Sequence, residues 1–179
     1  MVVNAIALND TTLICDDLLD EWADFIGIRS ENGLTQITFY HAKHDSVGLG
    51  AGQFHISVSQ AMKNLGNMLF PADRMGAKID GWTKTYNNQG ARTGINRIIR
   101  QPFAGIDVAI SHLRSAPDLV RRATIVTSSL RKQDIQQVLA DLKNGANPEP
   151  SFVQLYWLLQ SFFSACSEVG AVGSVICQP

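Results

Sequence analysis

The sequence predicts an α/β fold of the α+β kind: a central mixed β-sheet, opened by an N-terminal antiparallel meander and flanked by helices. Three observations carry this. Short runs rich in β-branched and aromatic residues follow one another closely between residues 11 and 43. Residues 57–70, 128–145 and 151–168 carry apolar side chains at three- and four-residue spacing. Two compact apolar stretches, 123–127 and 172–177, alternate with those helical segments and supply further strands.

The first strand is Thr11-Thr12-Leu13-Ile14-Cys15, stopped by Asp16-Asp17; residues 2–9 before it suit an edge strand or a helix end. The next two strands lie within 21–43. The runs Glu-Trp-Ala-Asp-Phe-Ile-Gly-Ile and Thr-Gln-Ile-Thr-Phe-Tyr-His-Ala-Lys flank a polar turn, 29–33, that closes on Asn32-Gly33. Asn-Gly between such runs signals a hairpin, because both residues tolerate positive φ. Three glycines at Gly48, Gly50 and Gly52 then make a tight or mobile loop, either a substrate-contacting segment or a connector, without the Gly-Lys-Ser/Thr of a Walker loop.

A helix is expected over 57–70, with Val58, Ala61, Met62, Leu65 and Leu69 buried, Gln60 and Lys63 on its polar face, and Pro71 as its stop. Within the basic stretch 72–104, Asn87-Asn88-Gln89-Gly90 marks a turn, and Ile95, Ile98, Ile99 and Phe103 read as helical core spacing that leaves Arg97 and Arg100 outward. His112 reads as structural. Ser128 or Ser129 should cap a helix buried through Ile135, Val138, Leu139 and Leu142 and ended by Gly145. Ser151 should cap the longest helix, 152–168, apolar almost all round and therefore central or at an interface, with Gly170 as its stop.

At 179 residues and 45% apolar side chains, the chain is sized for a single domain with a sizeable core. The early start of the first strand suggests a piece of a larger protein. Only 17% of residues are charged, which suits a surface partly covered by a second copy or by that larger protein. No apolar run reaches the ~18–20 residues that span a bilayer, and the N-terminus lacks a secretory pattern, so no membrane partner is expected. Cys15, Cys166 and Cys177 form no C-x-x-C pair and fit the reducing cytoplasm.

The net charge of −1 hides an asymmetry. Residues 1–72 carry a balance of −5 and residues 73–122 a balance of +5, which suits a metal-dependent enzyme acting on a polyanion or two ordinary surfaces of opposite sign. Arg74, Lys78, Lys84, Arg92, Arg97 and Arg100 alternate with Trp82, Tyr86 and Phe103, a composition able to track a phosphate backbone and stack on bases. The hairpin holds the chemistry. Asp24 lies in its first run, while His41 and Lys43 share a face near the end of the second. A carboxylate, a metal-capable imidazole and a lysine at one end of a hairpin can hold a divalent cation and compensate charge on a phosphoryl transition state.

Asp24, a strand-turn-strand, His41-Ala42-Lys43 and a following helix resemble the D…(D/E)xK signature of the PD-(D/E)XK nuclease superfamily. The wider string Cys-Asp-Asp…Glu-Trp-Ala-Asp-Phe-Ile…Phe-Tyr-His-Ala-Lys…Gln-Ala-Met-Lys-Asn is similar to nuclease-like domains attached to prokaryotic helicase, restriction and defence proteins, over residues 11–70. The resemblance implies a restriction-endonuclease-like fold hydrolysing nucleic acid, DNA before RNA, with Mg²⁺ or Mn²⁺. It implies metal at Asp24 and catalysis by Lys43, with Gln60 or Lys63 completing the site from the helix and Lys63 beside the basic segment on the strand. His41 stands where the family has Asp or Glu. It either ligates the metal itself, favouring Mn²⁺, or leaves Glu21 to supply the carboxylate, or marks a domain that has lost catalysis. The alternative function is therefore a non-catalytic module of the same fold for nucleic-acid binding or assembly, as a homodimer or on a helicase-type protein. A zinc site from His41, His44 and His55 matches no standard spacing.

Overall fold

Asn32 and Gly33, with φ of 52° and 79°, close the hairpin around which the N-terminal strands assemble. The structure, a computed structural model, describes residues 2–88 and 90–179, excluding the side chains of Gln53, Asn88 and Arg92. Strands β1 (Thr12–Cys15), β2 (Phe25–Glu31) and β3 (Leu34–Lys43) form the expected antiparallel meander. Residues 29–31, expected in the turn, continue β2, so the β2–β3 ladder runs from Glu31 opposite Leu34 to Phe25 opposite Tyr40.

There follow α1 (Ala51–Asn64), a 3-10 turn (Leu65–Leu69), α2 (Ala72–Trp82), β4 (Thr85–Asn88), β5 (Ala91–Asn96), β6 (Ile98–Arg100) and α3 (Ile106–Ser115). The chain closes with β7 (Val120–Arg131), α4 (Lys132–Lys143), α5 (Pro150–Glu168) and β8 (Ala171–Gln178). Six strands make one mixed sheet in the order β6-β1-β2-β3-β7-β8, flanked by helices, and β4-β5 is a separate hairpin. The fold class is the α+β arrangement the sequence predicts.

The chain divides into two compact units: Met1–Tyr40 with Gly66–Arg122, and His41–Leu65 with Ala123–Pro179. In the second, α1 begins at Ala51 rather than residue 57, with Gly50 as an uncapped N-cap. Phe54, Ser57, Val58, Ala61 and Asn64 are buried along it and Leu65 just after it, whereas Met62 is exposed; Leu69, in the 3-10 turn of the first unit, is exposed too. The apolar stripe starts a turn earlier than expected and rolls past Met62. Ser128 and Ser129 are not caps; they extend β7. Ser128 Oγ accepts from the Asp45 amide and donates to the Asp45 carbonyl, each at 2.9 Å, and the Gly48 amide reaches the Ser129 carbonyl at 2.9 Å. These bonds pin the glycine loop. Helix α4 then starts without a side-chain cap, with Ile135, Val138 and Leu142 half-buried and Leu139 exposed. Helix α5 buries Phe152, Leu155, Phe162 and Cys166 and exposes Tyr156, Trp157 and Phe163.

In the first unit, the spacing Ile95, Ile98, Ile99, Phe103 is not helical. Ile95 lies exposed on β5, β6 pairs antiparallel with β1, and Phe103 is fully exposed. His112 is exposed on α3 rather than packed. Gly27 of β2 is required by proximity, since a Cβ there would lie 2.1 Å from Asp10 Oδ2. That buried carboxylate accepts from Tyr40 Oη at 2.8 Å.

Asp16, read in the sequence as a strand stop, is fully buried. Lys78 Nζ donates to both its oxygens at 2.8 Å, Trp82 Nε1 at 2.6 Å and the Trp22 amide at 2.8 Å. Lys78 Nζ also donates to the Asp20 carbonyl and lies 4.7 Å from the centroid of the Trp22 ring. Trp22 meets Trp82 and Phe70 edge-on, at 6.4 and 6.0 Å between centroids. Burial pushes the Asp16 carboxyl up and the Lys78 amine down despite their pairing, as when desolvation outweighs attraction. Removing one partner strands the other charge. Lys78→Ala should therefore lower unfolding stability by about 3–5 kcal/mol in urea titration, and Asp16→Leu with Lys78→Met should recover part of it. A loss under about 1 kcal/mol in the single variant would remove the pair from this role.

Candidate functional site

The β2–β3 ladder ends at Phe25 opposite Tyr40, and the residues singled out by the sequence are reached from those two positions along the chain. Asp24 immediately precedes β2. Its carbonyl accepts from the Asp16 amide at 3.0 Å, so the loop anchored on the buried ion pair holds it. Half-buried, it lines a cleft of about 360 Å³ with Cys15, Asp17, Phe25 and Tyr86. Asp17 was not among the expected site residues. Its position after Asp16 disguised it as part of a strand stop. Glu21 is half-buried in the same loop, and both it and Asp24 have interacting partners.

On β3, His41 is buried at 2% exposure and Lys43 closes the strand, exposed. Burial lowers the His41 pKa from 6.5 to about 4, with a further contribution from the positive charge of Lys63. The ring is thus neutral at physiological pH, the form that ligates metals. Its Nε2 has no hydrogen-bond partner in the structure. Lys63 is exposed in the last turn of α1, and Gln60 is half-buried one turn earlier, its carbonyl accepting from Asn64 Nδ2 at 3.2 Å. His41, Lys43, Gln60 and Lys63 therefore belong to one unit, and Asp24 and Glu21 to the other. Among the described residues, no three His, Cys, Asp or Glu side chains gather as a metal-holding group. His44 and His55 are both exposed, with His55 Nε2 within 3.4 Å of Ser59 Oγ. Burial raises the thiols of Cys15, Cys177 and Cys166, the last to about 11, which disfavours a thiolate nucleophile.

The basic stretch is partly internal. Lys78 is committed to Asp16. Arg97, expected outward, is 4% exposed, donates from Nη1 to the Asp17 carbonyl at 2.6 Å and covers the Tyr86 ring at 5.1 Å. Arg100 is half-buried and holds the Leu8 carbonyl at 2.9 Å and the Ala7 carbonyl. Arg74 pairs with Asp20 at 2.5 Å. Lys84 is exposed, and the Arg92 side chain lies outside the described residues. The placement of Lys78 on α2 and of Arg97 at the bend between β5 and β6 turned both inward, where sequence spacing had them facing a strand of nucleic acid.

Comparison with known proteins finds no matching family model, curated protein or solved structure. No helix among the described residues is long and apolar enough to cross a membrane.

His41 ties stability to pH. Its folded pKa lies below its unfolded one, so the unfolded chain binds the extra proton first as pH falls. Its contribution is complete above pH 6.5 and lost as pH falls towards about 4, a span worth about 3 kcal/mol. Thermal melts from pH 7 to pH 4 should show this slope in the wild type and a flatter one in His41→Asn; parallel slopes would mean that His41 is not the titrating group.

Proposed function

We propose that this chain is a metal-dependent nuclease domain hydrolysing phosphodiester bonds of nucleic acid, DNA before RNA. The observation that carries the reading is the order of residues along the hairpin and beyond it. Asp24 immediately precedes β2, His41-Ala42-Lys43 ends β3, and α1 follows with Lys63 close enough to act on His41. Asp24, with either His41 or Glu21, would hold the divalent cation, and the neutral imidazole of His41 would suit Mn²⁺ better than Mg²⁺. The bound cation supplies Lewis acidity and lowers the pKa of a water. Lys43, exposed at the strand end, would orient an attacking water or stabilise charge developing on the phosphoryl oxygens. Gln60 supports the site from α1, and Lys63, Lys84 and Arg74 contact the strand at exposed or half-exposed positions. Lys78 and Arg97 have their amino and guanidinium groups turned inside, and Arg100 is held by two carbonyls. A cytoplasmic setting, with self-association or attachment to a helicase-type protein, belongs to the same proposal.

One observation favours a second reading, a non-catalytic module of the same architecture. The position that carries Asp or Glu in the resembling family is here a histidine, buried almost completely.

Incubation of plasmid, single-stranded DNA and RNA with Mg²⁺ or Mn²⁺ separates the two. Cutting that needs metal, and that drops at least about a hundredfold in both Asp24→Ala and Lys43→Ala while the fold persists, is the expected result. Absence of cutting under either metal, with nucleic acid still bound, would leave the module.

A further inference from the structure

We propose that the cleft beside the C-terminal end of α2 and the β4–β5 hairpin is a binding site for a phosphate group. The cleft encloses about 470 Å³, lies wholly within the first unit, and is lined by Leu18, Gly81, Lys84, Thr85, Asn87 and Arg97. That volume is within the range of small-ligand sites.

Arg97 carries the argument. It is as deeply buried as Lys78, yet the two are satisfied differently. Lys78 has a full carboxylate in Asp16. Among the described residues no carboxylate lies within ion-pair distance of Arg97. Of its five N–H donors, one from Nη1 meets the Asp17 carbonyl, and Nε, buried, meets no acceptor. The Tyr86 ring covers the guanidinium but brings no negative charge to balance it. A cation withdrawn from water without a counter-ion is strongly unfavourable. An anion entering from the cleft supplies the missing counter-charge.

The rest of the wall suits phosphate. Lys84 brings a second positive charge, and the Thr85 hydroxyl and Asn87 amide add neutral donors. The planar guanidinium fork matches phosphate oxygens, and the two cations complement the negative charge of a phosphate group. Asp17, whose carbonyl Arg97 holds, accepts from the Tyr86 hydroxyl with its carboxylate and lines the cleft that also contains Asp24, not this one. The phosphate is that of a free nucleotide or of a nucleic-acid strand, and the chemistry of the wall is common to both. The site goes beyond the cleavage reading and needs neither metal nor Lys43.

The test measures binding of inorganic phosphate, adenosine 5′-monophosphate and a short single-stranded DNA without terminal phosphates, by calorimetry and thermal shift. The Lys43→Ala protein is assayed in parallel, so that loss of cleavage and loss of this site are read separately. At least one probe should bind and raise the melting temperature. Lys84→Glu and Asn87→Ala, at exposed positions, should each weaken binding, the former at least about tenfold. Arg97→Gln should abolish it where the variant folds. Preference for the two small probes identifies a free or terminal phosphate, and preference for the DNA identifies an internal phosphodiester. No binding of any probe by folded wild type at millimolar concentration, or unchanged affinity in Lys84→Glu, would overturn the proposal.

Discussion

The buried pair between Asp16 and Lys78 is the constraint on which the first unit rests. Residues 16–24 form a loop with little regular structure, and such a loop must satisfy its polar groups some other way. Here one carboxylate collects Lys78, the Trp82 indole and the Trp22 amide, and the same lysine reaches back to the Asp20 carbonyl. Around it, Arg97 holds the Asp17 carbonyl and Arg74 holds the Asp20 carboxylate. Because the Asp16 amide bonds the Asp24 carbonyl, the position of the foremost metal-ligand candidate is inherited from this interior network. Chemistry and stability are not separable in that loop.

The same network changes the meaning of the basic segment. Charge counted along the sequence suggests a surface of one sign. In the folded chain part of that charge has moved indoors, where Lys78 and Arg97 orient carbonyls and aromatic rings. What remains outside is sparser, and its placement is uneven. Lys84 lines a cleft, whereas Arg74 is already answered by Asp20. An electrostatic footprint read from residue counts therefore overstates the exposed positive charge of this unit.

The parts of the fold legible in the sequence are those fixed by local rules. Asn32-Gly33 announced the hairpin because two consecutive left-handed residues admit few alternatives. Gly145 and Gly170, both at positive φ, marked the ends of α4 and α5 for the same reason. Misreadings arose where a local pattern had two solutions. Four apolar residues between 95 and 103 fit a helical stripe, but the first three lie in two short strands and Phe103 in the turn after them. Ser128 and Ser129 have the chemistry of caps, and their hydrogen-bonding groups were taken instead by the loop at 45–48. Three glycines hid the start of α1. The Asp16–Lys78 pair spans 62 residues and has no local signature at all. At the candidate site, the order Asp24, His41, Lys43 could be read, whereas whether His41 packs beside Phe39 or serves as a ligand stayed open, because its burial depends on packing from outside the strand.

The division into units has a consequence for how this protein can change. Each unit is made of two separated stretches, and the chain passes from one unit to the other three times, at residues 40/41, 65/66 and 122/123. No single cut yields either unit whole. A lineage therefore cannot shed one half by deletion or acquire it by fusion at one junction. The two are retained or lost together, and drift in one is judged in the presence of the other.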